Sequence, residues 1–172
     1  MLSRKKPLQA KRGFKAPSSA LARHGFTSRT RKPMPKKSKG ELPILVDLLE
    51  AVFSQYIRLR VTDDKGWAKC FTCDSEGLWT EMHNGHFMPR KERGSGFSEV
   101  GCQYQCPTCN TVRPNGNRKV FAQRLDGAYG PGTAEQVVLD SKKVMRYGRD
   151  WYQERISHYN ELVRKMKKEK GL

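Results

Sequence analysis

The feature that most constrains this chain is a pair of CxxC motifs, Cys70-Phe-Thr-Cys73 and Cys106-Pro-Thr-Cys109. Each motif places two thiolates on one tight turn, and two such turns supply the four sulfur ligands of a tetrahedral zinc ion. A closed shell of four thiolates leaves no position for a substrate, so the pattern predicts a structural zinc site. The fifth cysteine, Cys102, is either an alternate ligand or, as we expect, a buried apolar thiol.

The positive charge of the chain is concentrated at one end. Of 172 residues, 34 are Lys or Arg and 17 are Asp or Glu, which gives a net charge of +17. Residues 1–40 hold thirteen of the basic residues and no acidic one, so residues 41–172 hold 21 basic and 17 acidic residues, a net of +4. This composition predicts a disordered basic tail over residues 1–40 whose natural partner is a polyanion such as DNA. A solubilising or targeting tail is the alternative.

Residues 41–172 are expected to form a single α+β domain. No apolar run approaches the roughly 18 residues of a membrane span, and no signal-peptide pattern is present. We therefore expect no membrane partner and a reducing compartment, in which cysteines bind metal more often than they form disulfides. A first helix is expected to begin at Glu41, with an apolar stripe at steps of three and four residues formed by Leu45, Leu48, Leu49, Val52, Phe53 and Tyr56.

The remaining elements follow from local patterns. An extended segment is predicted over Trp67–Cys70 and a half-buried strand over Leu78–His83, with Gly85 marking either a bulge or a close backbone approach. The second CxxC motif is expected at the start of a helix that runs toward Leu125. Capping-box patterns predict a short helix from Thr133 through Leu139 and a last helix opened by Asp150.

Residues suited to hydrolysis lie between and beside the cysteine pairs. His86 is the candidate general base, because a neutral imidazole can take a proton from water that attacks phosphorus. His83 is a candidate ligand or orienting group for a divalent cation, and Asn110 offers a neutral oxygen to such a cation. DNA-binding residues are expected at basic positions around these groups, namely Arg90, Lys91, Arg93, Arg113, Arg118 and Lys119.

The chain resembles the phage NinG family, the group of lambda Rap, whose members are zinc-bearing relatives of HNH (ββα-metal) endonucleases that cut branched recombination intermediates. The resemblance covers roughly residues 45–165. It is carried by Phe53-Ser-Gln-Tyr56-Ile57-Arg58-Leu-Arg60, Cys70-Phe-Thr-Cys73, Gly85-His86-Phe87, Phe97-Ser-Glu99, Gln105-Cys106-Pro-Thr-Cys109-Asn110 and Gly116-Asn117.

The resemblance implies a small zinc-bound ββα-metal core flanked by helices, with His86 as the base and Asn110 as the last position of the HNH motif and a cation ligand. It also implies catalytic Mg²⁺ or Mn²⁺, branched DNA such as Holliday junctions or D-loops as substrate, and the cytoplasm of an infected bacterial host as location. A homodimer is one expected assembly.

Two positions depart from the family pattern. His83 stands where relatives carry an aspartate, which shifts the expected cation preference toward softer ions such as Mn²⁺. Gly101 stands where they carry the middle asparagine that braces the loop. Two functions therefore remain: a structure-specific DNA endonuclease, which the joint presence of the GHF and CxxCN elements favours, and a non-cleaving zinc module that binds DNA during recombination.

Overall fold

A computed structural model of the chain describes residues 40–90 and 96–172. The tail predicted over residues 1–40 lies outside these residues except for Gly40, and so do Lys91 and Arg93. Within the described residues the fold is α+β, with four α-helices and two antiparallel sheets of two strands each. No helix in this part of the chain combines the length and the apolar character needed to cross a bilayer.

The first helix, α1 (Glu41–Leu59), confirms the predicted start and places Pro43 in its first turn. It packs mainly on the last helix, α4 (Arg149–Lys170), because both helices carry an apolar stripe. The ring of Phe53 on α1 meets Tyr159 on α4 edge to face, with 5.1 Å between ring centroids. The shared core consists of Leu49, Val52, Phe53, Ile57, Leu59, Cys102, Tyr159 and Val163.

Four short strands form the two sheets. Strand β1 (Trp67–Lys69) pairs with β2 (Glu76–Leu78), and β3 (His83–His86) pairs with β4 (Cys102–Gln105). The strand predicted over Leu78–His83 is wrong, because the chain turns after β2 and the amides of Glu81 and Met82 both donate to the carbonyl of Leu78. Tertiary contacts hold this turn. Arg58 of α1 donates to the carbonyl of Trp79 at 2.8 Å, and the ammonium of Lys167 lies 4.7 Å from the Trp79 ring centroid.

Gly85 lies in β3 in regular register with Gln103, so no bulge forms, and the close approach to this glycine is made by the Gln105 side chain rather than by another backbone. A Cβ at position 85 would lie 2.0 Å from Oε1 of Gln105. The Gln105 side chain has no room to move, because it is fully buried and donates to the Thr72 hydroxyl and to the Gly116 carbonyl.

Replacing Gly85 with alanine is expected to destabilise the domain by about 1–3 kcal/mol, the usual cost of overpacking a closed site. Gly127 provides the matched control, since it lies in a helix and a Cβ there meets nothing within 4 Å. Gly127→Ala is expected to stabilise the domain by about 1 kcal/mol. Urea denaturation measures both changes, and equal midpoints for Gly85→Ala and the parent would contradict the close approach.

The helix predicted from the second CxxC motif begins later than expected. After β4 the chain makes a π-helical turn over Thr108–Val112 and a 3-10 turn over Pro114–Gly116, and only then enters α2 (Arg118–Tyr129). The helix cannot start earlier because the backbone before it is not helical. Arg113 is extended, while Asn115 and Asn117 adopt left-handed conformations with φ of 49° and 58°.

The two helices predicted from capping-box patterns are confirmed, but the capping boxes themselves do not form. Helix α3 (Thr133–Ser141) has Gly132 at its N-cap and α4 has Gly148, and neither residue supplies a side-chain cap. The Asp126 carboxylate of α2 instead accepts the backbone N–H of Ala134 at 2.9 Å. A cap from a neighbouring helix leaves no local sequence signature.

Candidate metal centre and adjoining cleft

The two CxxC motifs meet as predicted. The Sγ atoms of Cys70, Cys73, Cys106 and Cys109 all lie within 4.8 Å of one another, and all four thiols are free of disulfides. The Sγ atoms of Cys73 and Cys106 are 3.7 Å apart, close to the roughly 3.8 Å that tetrahedral Zn–S bonds require. The structure thus forms a four-cysteine cluster suited to a metal such as zinc.

The electrostatics of this cluster also favour a cation. Burial raises the pKa of the Cys106 and Cys109 thiols, so their thiolates need a compensating positive charge, while hydrogen bonds from Ser75 help to lower the pKa of Cys73 to about 6 despite its burial. Backbone amides already point at the sulfurs: the N–H of Cys106 donates to Sγ of Cys70 at 3.3 Å, and that of Cys109 donates to Sγ of Cys106 at 3.4 Å. The donor set and its polar surroundings therefore fit a structural zinc ion.

Cys102 is not part of the cluster. Its side chain is fully buried in the core between α1 and α4, and burial raises the pKa of its thiol to about 12. The expectation that Cys102 is an inert apolar thiol is confirmed.

The three candidate catalytic residues meet beside the cysteine cluster in one open cavity of about 560 Å³, which we call the histidine cleft. Strand β3 supplies His83 and His86, and the π-helical turn supplies Asn110. Since Asn110 directly follows Cys109, the four-cysteine cluster fixes one wall of the cleft. Other lining residues are Asp47, Glu50, Ser54, Arg58, Asn84, Arg90 and Phe97.

His86 has the protonation state that a general base needs. Its Nδ1–H donates to the carbonyl of Asn84 at 3.1 Å, so the lone pair of the neutral ring lies on Nε2. Burial, assisted by the charge of Arg90, lowers the pKa of His86 to about 4, while the carbonyls of Asn84 and Gly96 partly oppose the shift. The imidazole is therefore neutral at pH 7 and free to accept a proton.

His83 is tied to Asn110. The side-chain amide nitrogen of Asn110 lies 3.0 Å from Nδ1 of His83 and donates to it, and this contact does not use the amide oxygen of Asn110. His83 therefore orients Asn110 in this arrangement. Its role as a cation ligand stays a prediction.

Asn84 carries a buried oxygen in need of a partner. Its side chain is 8% exposed, and Oδ1, which has essentially no solvent-accessible surface, has no hydrogen-bond partner among the described residues. Leaving a buried acceptor unpaired costs about 1–3 kcal/mol. Because Oδ1 is shielded from solvent, the residues that offer oxygen atoms to a hard divalent cation in the cleft are Asn110, Asp47 and Glu50, and the Glu50 carboxylate is paired with Arg90.

The loop that carries Gly101 is braced without the asparagine of the family pattern. The Arg60 guanidinium donates to the carbonyls of Glu99 and Cys102 at 2.8 and 2.9 Å. The Ser98 hydroxyl accepts the N–H of Gly101 at 3.0 Å. These bonds fix the loop between β3 and β4 on its C-terminal side.

The basic residues predicted to bind DNA are spread more widely than the catalytic candidates. Arg90 lines the histidine cleft, where its guanidinium lies 3.3 Å from Glu50 Oε2. The exposed Arg113, Arg118 and Lys119 do not line it. Arg118 instead lies over the Phe87 ring, 5.2 Å from its centroid.

Sequence reasoning missed the contribution of α1 to the cleft. Asp47, Glu50, Ser54 and Arg58 recur at steps of three or four residues, so they share one helical face. That periodicity was the available signal. It was overlooked because the apolar stripe beside it explained the helix by packing alone.

Comparison of the chain with protein-family models, with curated proteins and with solved structures found no match. We therefore infer the function of the protein from the geometry of the metal centre and the histidine cleft.

Proposed function

We propose that this protein is a metal-dependent DNA endonuclease of the HNH-like, ββα-metal kind that cuts branched recombination intermediates. The observation that carries the proposal is the histidine cleft, in which a neutral, half-buried His86 lines the same cavity as His83 and Asn110. An antiparallel pair, β3 and β4, followed by a helical turn that holds Asn110, supports the ββα-metal order.

The residues divide the chemistry between them. His86 accepts the proton of the attacking water through Nε2, and the imidazolium that forms is stabilised by the carbonyls of Asn84 and Gly96. Asn110 would hold a divalent cation, which when bound supplies charge neutralisation at the scissile phosphate. His83 keeps the Asn110 amide turned toward the cleft. Arg90, at the rim, contacts the DNA backbone.

The four-cysteine cluster has a structural role in this proposal. It anchors the π-helical turn and so positions Asn110 against His83. Tail residues 1–39 add sequence-independent affinity for DNA through their charge.

A non-cleaving zinc module that binds DNA is the second candidate, and the observation in its favour is the composition of β3. This strand offers His83 rather than a carboxylate to a cation. The two candidates differ in whether the cleft residues affect a reaction rate or only binding.

Replacing Asn110 with alanine tests the endonuclease proposal. We expect slower cleavage of a labelled four-way junction, with part of the lost rate restored at higher Mg²⁺ or Mn²⁺, because the variant lacks a cation ligand but keeps the base. Asn160→Ala, on the exposed face of α4, is the matched control and should cleave like the parent. Cleavage by Asn110→Ala equal to the parent at every metal concentration would exclude Asn110 from the reaction.

A further inference from the structure

A second cavity, of about 570 Å³, adjoins the histidine cleft. We call it the aromatic pocket. One wall is the start of α1, and the other is the segment that leads into α4. Its lining residues outside the histidine cleft are Leu42, Pro43, Val46, Met145, Arg146, Tyr147 and Tyr152. It shares Asp47, Glu50, Arg90, Gly96 and Phe97 with the cleft, so the two cavities lie side by side.

The walls of the aromatic pocket are held in place by contacts outside the cleft. The ion pair between Glu41 and Arg149, 3.1 Å between Oε1 and Nε, joins the first residues of α1 and α4. Tyr147 stacks on Trp151 with 3.6 Å between ring centroids and 10° between ring planes. These contacts present a preformed pocket rather than a collapsed apolar surface.

The lining chemistry matches one kind of ligand. Aromatic and aliphatic side chains offer stacking surface to a planar ring, and Leu42 and Met145 remain 48% and 37% exposed. The Arg146 guanidinium suits phosphate oxygens, while the Arg90–Glu50 pair, 3.3 Å apart, presents both donors and an acceptor to the edge of a base. A nucleotide carries all of these features in one unit.

We propose that the aromatic pocket binds an unpaired nucleotide of the DNA strand whose phosphate lies in the histidine cleft. The proposal rests on the proposed function, since it takes the cleft as the place of the scissile phosphate. A base inside intact duplex is stacked and paired, so entry into the pocket costs a few kcal/mol. The cost is smallest for an unpaired base, such as one in the displaced strand of a D-loop. The pocket thus gives the protein a physical reason to prefer branched DNA.

The test measures DNA binding, so it does not depend on cleavage. The probe is a duplex with one unpaired 2-aminopurine, and the matched DNA is the same duplex fully paired, both without divalent metal. We expect the parent to bind the probe more tightly than the paired duplex and to quench its fluorescence. Tyr147→Leu should lose about tenfold in affinity for the probe and most of the quenching, because base-on-aromatic stacking is lost. Tyr147→Phe, which keeps the ring, should behave like the parent.

Arg146→Gln provides a second variant with little risk to folding, since Arg146 is exposed and lies outside the helices. It should weaken binding of the probe more than binding of the paired duplex. Folded Tyr147→Leu and Arg146→Gln proteins that bind both DNAs as the parent does would overturn the pocket proposal and leave the endonuclease proposal intact. If the parent protein quenches the fluorescence of the probe but cuts no DNA, the endonuclease proposal is overturned and nucleotide binding in the pocket stands. Sedimentation tests a further alternative. If the parent is a dimer and Tyr147→Leu abolishes the dimer without changing DNA binding, the pocket is an interface with a second copy of the chain and the proposal is overturned.

Discussion

Replacing Cys106 with serine is expected to remove both the bound zinc and the tertiary structure of residues 40–172. The reason is that Cys106 belongs to the cluster that joins β4 to the turn before β2, and a structural zinc site contributes on the order of 10 kcal/mol to folding. That contribution is comparable with the whole stability of a small domain. Metal analysis and a circular dichroism melt measure the two losses.

Cys102→Ala is the control for this experiment. It removes a more deeply buried thiol that lies outside the cluster, so zinc should stay at one ion per chain while the core loses a small amount of stability. A Cys106→Ser protein with parental zinc content and an unchanged melting temperature would contradict the structural role of the cluster.

Replacing His86 with alanine is expected to slow DNA cleavage by at least about 100-fold, the contribution of a positioned general base. Zinc content, melting temperature and affinity for branched DNA should stay close to those of the parent, because His86 is not a ligand of the four-cysteine cluster. Added Mg²⁺ or Mn²⁺ should restore nothing, in contrast to Asn110→Ala.

His158 supplies the matched control on α4, where it is exposed and lines neither the histidine cleft nor the aromatic pocket. His158→Ala should cleave at the parental rate. Equal rates for His86→Ala and His158→Ala would remove His86 from the mechanism.

The parts of the site that could be predicted are those with local signatures. The two CxxC motifs predicted the four-cysteine cluster, because thiolate spacing within one turn is almost sufficient to define a zinc site. Helix α1 could also be predicted from the sequence, since its apolar residues repeat with the helical period from Glu41 onward. At Gly85 the sequence predicts a bulge or a close backbone approach, whereas the structure places the buried Gln105 side chain against this glycine.

The parts that could not be predicted depend on contacts distant in sequence. The turn after β2 is held by Arg58 and Lys167, and α3 is capped by Asp126 of another helix. The loop around Gly101 is braced by Arg60, which comes from the end of α1. Such contacts determine local backbone shape without leaving a pattern in the segment that adopts it.

The site and the fold share α1. One face of this helix packs on α4, and an adjacent face supplies Asp47, Glu50 and Arg58 to the histidine cleft. Because the same helix also forms one wall of the aromatic pocket, the packing of α1 on α4 sets the distance between the proposed sites of base binding and cleavage.

The most direct test of the central claim is single-turnover cleavage of an end-labelled four-way junction by the zinc-loaded parent protein, in Mg²⁺, in Mn²⁺ and in EDTA. We expect the protein to make discrete nicks near the branch point with either metal, to cut nothing in EDTA, and to cleave linear duplex much more slowly. A pure, folded protein that binds the junction but cuts it under none of these conditions would contradict the endonuclease proposal and favour the non-cleaving zinc module.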